Sequence, residues 1–256
     1  MYMNSTQQLT QFIVSNTPCI FVKYGDGEFA AANYCQGANC DGTSYSVQLG
    51  NSLRNSFEYI TNQPNALIGA WHSASTLPFW ENLTQKKVNW VNYHTILIDK
   101  IENFDKLLLF KSIKDTHRKK IYVANPLLKK ATVLLNIDTH VKIAYSDWFY
   151  TAFQETFEAV KKEILEDSNT MILFSAGMGA KYLISRLHME FPNTIYIDIG
   201  SGLDHICTKK DTRGYSPPYD DLCSYLQPIL PENWESDQYS SLYLDASVNL
   251  GKHMPN

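Results

Sequence analysis

Two carboxylates one residue apart, Asp26 and Glu28, close the stretch Cys19-Ile20-Phe21-Val22-Lys23-Tyr24-Gly25-Asp26-Gly27-Glu28. Ile20, Phe21 and Val22 are β-formers and read as a short buried strand. Gly25 and Gly27 permit a sharp turn and a close approach of the backbone to a ligand. Asp26 and Glu28 are therefore expected at the end of a strand, where open α/β sheets bind ligands. Two hard oxygen ligands at this spacing suit Mn²⁺ or Mg²⁺ shared with a phosphate. The same residues also suit an acidic turn with no chemical role.

A second segment, Met171-Ile172-Leu173-Phe174-Ser175-Ala176-Gly177-Met178-Gly179-Ala180-Lys181, reads as strand, small-residue turn and helix. Ala180, Leu183, Ile184 and Leu187 recur at helical spacing. A helix start behind a glycine turn presents backbone N–H groups and favours an anion. Lys181 falls on the first helical turn, where a cation gains nothing from the helix dipole. An anionic ligand would account for it, and so would simple solvation.

A third segment, Thr194-Ile195-Tyr196-Ile197-Asp198-Ile199-Gly200-Ser201-Gly202-Leu203-Asp204-His205, is a buried strand ending in Gly-Ser-Gly. Asp198 lies inside the apolar run. A buried carboxylate is costly unless paired, so a ribose, a metal or backbone amides are its expected partners. Asp204 and His205 are candidates for a general base, and His205 also for a metal ligand or a diphosphate partner. His72 and His94 fall near strand ends as well, but a lone histidine is more often a structural group. Arg213, in Asp-Thr-Arg-Gly-Tyr, could reach a diphosphate if the tail folds over the site.

Taken in order, Tyr24-Gly25-Asp26-Gly27-Glu28, Ser175-Ala176-Gly177-Met178-Gly179-Ala180-Lys181 and Ile197-Asp198-Ile199-Gly200-Ser201 resemble the GT-D type of glycosyltransferase. That family was first known as a domain of unknown function in bacterial glycan-assembly loci. The resemblance runs from about residue 15 to about residue 215. It implies a metal-dependent enzyme that moves a sugar from a nucleotide-sugar donor, a UDP-sugar, to a glycan or glycoconjugate acceptor. It assigns Asp26 and Glu28 to the metal and the nucleotide sugar, and so to catalysis; Asp204 and His205 stay the catalytic candidates that their own turn suggests. Nucleotide contacts are expected from Lys23, Tyr24, Gly25, Gly27, Gly177, Gly179, Lys181, Asp198, Gly200, Ser201 and Arg213. Family members often carry Arg two residues before the Gly-Asp-Gly-Glu turn, where this chain has Lys23. The charge is kept but the bidentate fork is not.

The elements that must hold these residues alternate along the chain. Residues 7–14 read as a helix, 19–22 as a strand and 47–60 as a helix with Leu49, Leu53, Phe57 and Ile60 on one face. Strands are expected at 66–71, 120–124 and 141–144. Residues 77–118 read as mostly helical. Asn125-Pro126 should open a helix, and Asp147 should cap one long helix over 147–166. This alternation predicts an α/β, Rossmann-like fold, with a mainly parallel sheet and helices on both faces. Residues 1–205 form the glycosyltransferase-like domain of this reading. Residues 206–256 are an irregular extension or lid on it, because Pro217, Pro218, Pro228 and Pro231 exclude a long helix there.

Composition narrows the classes. The 256 residues are 44% hydrophobic and carry a net charge of −4. That allows a full core and offers no basic surface for nucleic acid. No apolar run approaches the ~18–20 residues needed to span a bilayer, and residues 1–10 lack a signal pattern. An odd count of five cysteines, Cys19, Cys35, Cys40, Cys207 and Cys223, suits a reducing compartment and a cytoplasmic protein. Two other readings stay open. Asp198 followed by Gly200-Ser201-Gly202 resembles the first motif of S-adenosylmethionine-dependent methyltransferases, although little chain follows it for the rest of such a sheet. A non-catalytic nucleotide-sugar-binding domain is the other.

Overall fold

A computed structural model describes residues 3–71 and 76–234. Seven strands form one sheet: β1 (Ile20–Tyr24), β2 (Ala66–Ala70), β3 (Trp90–Asn92), β4 (Lys119–Ala124), β5 (Thr139–Lys142), β6 (Thr170–Ser175) and β7 (Ile195–Asp198). All the pairings are parallel, and the spatial order is β3-β2-β1-β7-β6-β4-β5. The fold is α/β and Rossmann-like.

The five inner strands are buried on both sides, and their residues alternate between two apolar clusters. Phe21, Leu67, Tyr122, Leu173 and Ile197 face one cluster. Ile20, Val22, Ile68, Ile121, Val123, Ile172, Phe174 and Tyr196 face the other. Such near-continuous apolar strands require helices on both faces. The first face receives α1 (Ser5–Val14), which supplies Leu9 and Ile13. The second receives α2 (Asp26–Ala32) through Ala31 and Ala32, and α3 (Val47–Ile60) through Leu49, Leu53, Phe57 and Ile60. Trp80 of α4 (Thr76–Thr84) joins this second face, whereas Leu109, Phe110 and Ile113 of α5 (Phe104–Asp115) join the first. On the first face α6 (Lys130–Leu134) adds Ala131 and Leu134.

The remaining helices complete this arrangement. Trp148 and Phe149 of α7 (Trp148–Thr151), Phe157 and Val160 of α8 (Phe153–Glu166), and Leu183 and Leu187 of α9 (Gly179–Glu190) cover the second face. The chain then crosses over, and α10 (Asp204–Thr208) and α11 (Tyr219–Leu226) lie on the first. The connections leaving β1 and β7 therefore diverge to opposite faces. Adjacent strands whose connections part this way open a crevice at their carboxyl ends, and ligands bind there in α/β sheets.

Three expectations about elements change. The helix expected over 147–166 is broken in two. Asp147 does stand at the N-cap of α7, but in the left-handed region at φ 55° and without a side-chain capping bond, its Oδ1 accepting instead from Ser44 N at 3.1 Å. Trp148 is drawn inward, where its Nε1 donates to Ala176 O at 2.9 Å. The largely helical reading of 77–118 missed β3, which has only three residues and no fully buried position to mark it. Asn125 caps a 3₁₀ turn, Pro126–Leu128, before α6 begins. In the tail, Leu222, Leu226, Ile229 and Trp234 are buried in the first cluster. Tyr225 ties α11 to α5 by donating to Asn103 O at 2.5 Å and accepting from Leu107 N at 2.7 Å. Among the described residues, no helix is long and apolar enough to cross a membrane.

Candidate functional site

The Gly-Asp-Gly-Glu stretch is a helix start. β1 ends at Tyr24, Gly25 takes an extended conformation, and Asp26 opens α2. Glu28 reaches back so that its Oε2 accepts from Gly25 N at 2.9 Å, which satisfies one of the free amides of the first turn. Its other oxygen, Oε1, lies 2.6 Å from Lys181 Nζ. Lys181 also meets Asp198 Oδ2 at 3.0 Å and donates to Gly177 O at 3.3 Å. From the neighbouring strand, Lys23 N donates to Asp198 Oδ2 at 3.4 Å and Lys23 Nζ to Ile199 O at 2.8 Å.

Lys23, Glu28, Lys181 and Asp198 are thus two cations and two anions at the crevice between β1 and β7. All four are buried, at 2%, 8%, 4% and 1% exposure. Buried charges at this density require one another. Burial alone would pull the Lys181 ammonium down, but Asp198 and Glu28 outweigh it and raise its pKa. Burial would raise the Glu28 carboxyl, and Lys181 holds it below the ordinary range. Lys23 is pulled down to about 8 by burial, against the opposing field of Asp198.

Asp26 stands apart. Its side chain is exposed, and no described residue pairs with it. Among the described residues, no three His, Cys, Asp or Glu side chains gather into a group that could hold a metal. Both Glu28 oxygens already accept protein N–H groups. Glu28, expected as a metal ligand, is thus spent on Gly25 and Lys181, and Asp26 is the one of the two carboxylates whose oxygens have no partner among the described residues; a metal there would need phosphate and water for its other ligands, as Mg²⁺ commonly does.

The Gly177–Gly179 turn sits beside this cluster but is covered. Gly177 has φ 59°, and a Cβ there would lie 2.7 Å from Asp41 Oδ2. A Cβ on Gly27 would lie 2.5 Å from Asn39 Oδ1, and one on Gly179 2.8 Å from Trp148 Cζ2. These glycines make room for neighbouring side chains. The connection over 33–46 folds onto the turn, held by an Ala38–Ser44 bridge and by Thr43 N donating to Asp41 Oδ1 at 2.9 Å. Lys181 points inward to Glu28 and Asp198, where the sequence had suggested an anionic ligand or solvent.

Gly200, at φ 58°, lies against Lys23 Nζ, and its N–H donates to Phe174 O at 3.0 Å. A side chain here meets both left-handed strain and the Lys23 ammonium. Gly200→Ala is expected to lower stability by about 1–2 kcal/mol, read from urea unfolding. A loss under about 0.5 kcal/mol would show that Lys23 moves aside freely.

The other candidates scatter more. The Tyr24 ring turns into the second apolar cluster, where its hydroxyl meets Ser56 Oγ at 3.0 Å. Ser201 Oγ and Tyr215 OH are 2.8 Å apart. Asp204 Oδ2 accepts from Thr212 Oγ1 at 2.7 Å, and burial raises its pKa. His205 Nδ1 is buried with no partner among the described residues, and its ring lies near Tyr219. Arg213 donates to Cys40 Sγ and so pins the tail to the 33–46 connection. His72 lies outside the described residues. Sequence reasoning missed Asn39 and Asp41, and also Trp71 and Tyr93, which gather around the His94 it had noted near a strand end. The signal for the first was the long turn-rich connection after α2.

Comparison with solved structures agrees with this topology. One structure, described as the highly conserved domain of unknown function 1792 with a distinct glycosyltransferase fold, aligns with a TM-score of 0.55 at 16% identity. The alignment covers 79% of this chain and 80% of that one. The likeness is one of fold. A second structure, described as a new glycosyltransferase of the same domain type from Streptococcus sanguinis, gives a TM-score of 0.54 at 17% identity. It covers 79% of this chain and 83% of the other. No protein-family model and no curated protein matches the sequence.

Proposed function

We propose that the protein is a metal-dependent glycosyltransferase that moves a sugar from a nucleotide-sugar donor, a UDP-sugar, to a hydroxyl of a glycan or glycoconjugate. The observation that carries this reading is the crevice between β1 and β7. There an exposed Asp26, without a partner among the described residues, opens the helix whose Glu28 joins the buried Lys23, Lys181 and Asp198. The fold shared with structures described as glycosyltransferases supports the reading.

Departure of a nucleoside diphosphate gathers negative charge as the glycosidic bond breaks. A bound Mn²⁺ or Mg²⁺ would neutralise part of that charge. Asp26 would hold and orient the metal. Glu28 fixes the first turn of α2, on which Asp26 stands. Lys23 and Lys181 hold Asp198 and Glu28 in a fixed arrangement beneath the site, and such preorganised groups need no rearrangement during reaction. Asp198 Oδ1, buried without a partner among the described residues, would accept a hydroxyl from the donor. Asp204 is the better candidate for the base, because burial moves its pKa up toward the range where proton transfer is efficient.

UDP should raise the melting temperature only when Mn²⁺ or Mg²⁺ is present. At a hundred times Kd the stabilisation is about 2.7 kcal/mol, or roughly 5–10 °C for a chain of this size. Equal shifts in EDTA would remove the metal from the scheme. A panel of UDP-sugars assayed for UDP release then separates an enzyme from a binding domain, since a domain without catalysis binds and releases nothing.

A further inference from the structure

Trp71, the residue after β2, is 38% exposed although it is one of the largest apolar side chains in the protein. It borders the Gly25 turn: a Cβ on Gly25 would lie 3.4 Å from Trp71 Nε1 and 3.3 Å from Tyr93 Cε2. Tyr93 stacks on the indole, with centroids 4.5 Å apart and an 18° tilt. His94 meets it edge-on at 4.8 Å and 78°. The Tyr93 and His94 centroids are 6.1 Å apart, so from the indole they stand roughly at right angles. Together they cover one face and one edge of Trp71, and among the described residues no other ring stacks on the indole.

The surroundings hold this indole in place. Lys23 Nζ lies 5.2 Å from the Tyr93 centroid, which joins the aromatic pair to the buried charge cluster. His94 Nδ1 is 2.6 Å from Asp99 Oδ2. A carboxylate only accepts, so Nδ1 carries a proton, and in the neutral ring Nε2 is left as an acceptor. That Nε2 is buried and has no partner among the described residues. The site thus combines a rigid, exposed aromatic ring with a neighbouring acceptor that lacks a donor among the described residues.

We propose that Trp71, backed by Tyr93, is the stacking platform for the nucleobase of the donor, and that His94 Nε2 accepts from the N–H of that base. The assignment rests on the glycosyltransferase reading above and adds to it the residues that receive the base. Three observations favour a base as the occupant. The platform lies at the end of β2, the side of the crevice on which Rossmann-like sheets seat the nucleoside half of their ligands. Its indole adjoins the turn that leads into Asp26, so phosphates at that turn leave the base beside Trp71. A ring with an imide N–H, such as uracil, supplies both the flat π-face and the missing donor, and stacking of this kind contributes substantially to base binding.

The test is calorimetric titration of UDP and of inorganic pyrophosphate, each with Mn²⁺, into wild type, Trp71→Ala and Trp71→Phe. Trp71→Ala should bind UDP about tenfold more weakly and pyrophosphate as well as wild type. Trp71→Phe should keep most of the UDP affinity. Unchanged UDP binding by Trp71→Ala overturns the proposal, and a change in acceptor KM alone would give the platform to the acceptor. Equal weakening of both ligands also overturns it, because the effect would then lie in the turn. Wild type that binds pyrophosphate no less tightly than UDP refutes the platform and leaves the phosphate site standing. Wild type that binds neither sinks the nucleotide-sugar reading, and the platform with it.

Discussion

Lys181→Ala is expected to lower the melting temperature by on the order of 10 °C. The Lys181 ammonium bridges Glu28 at 2.6 Å and Asp198 at 3.0 Å, and all three groups are buried. Removing it leaves two carboxylates facing each other out of water. Breaking a buried pair this way costs about 3–5 kcal/mol, and each kcal/mol moves the midpoint of a chain this long by roughly 2–4 °C. Lys181→Ala combined with Asp198→Asn should recover part of the loss, since one of the stranded charges is gone. The pair also sets an acid limit. Lys181 holds the Glu28 pKa below its unfolded value. Its contribution is therefore present above the ordinary glutamate range and is lost as the pH falls through and below that range. Thermal scans of wild type and variant at neutral pH decide the matter, and a shift under about 2 °C would show that the cluster is not held by Lys181.

Asp26→Ala should separate activity from stability in the opposite sense. The Asp26 side chain is exposed and has no partner among the described residues, so its loss should change stability by no more than about 0.5 kcal/mol. Sugar transfer should nevertheless fall at least about a hundredfold, because losing a metal's charge stabilisation costs on the order of 3 kcal/mol in the barrier. Glu28→Ala is predicted to lose both, since Glu28 caps α2 and pairs with Lys181. Steady-state rates and urea unfolding on the same preparations give the comparison. An Asp26→Ala enzyme within fivefold of wild type would take the metal role away from this residue.

Much of the architecture was legible in the chain. Ile20–Val22, Met171–Phe174 and Ile195–Ile197 are β-formers bounded by glycine, and burial of a parallel strand demands such runs. Leu49, Leu53, Phe57 and Ile60 repeat at helical spacing and do form the inner face of α3. The placement of Asp26, Gly177 and Gly200 at strand ends followed from the same local rule. Periodicity reports whether a residue is buried, and it does so over a few neighbours.

What a residue meets once buried was decided by the tertiary structure. Lys181 stands on the first turn of a helix in sequence, and only the order β1-β7-β6 brings it to Glu28 and Asp198. The glycines at 27 and 177 looked like room for phosphate, yet the 33–46 connection returns to lay Asn39 and Asp41 over them. Asp147 Oδ1 is taken up by Ser44 N, more than a hundred residues earlier in the chain, and so caps no helix. Trp71, Tyr93 and His94 come from separate connections that meet only because β2 and β3 are neighbours. In a parallel sheet each connection crosses over before the next strand is placed, so distant segments share one edge. A local pattern carries no record of that order, and so the sequence told which residues would gather at strand ends, but only the fold told which of them would touch.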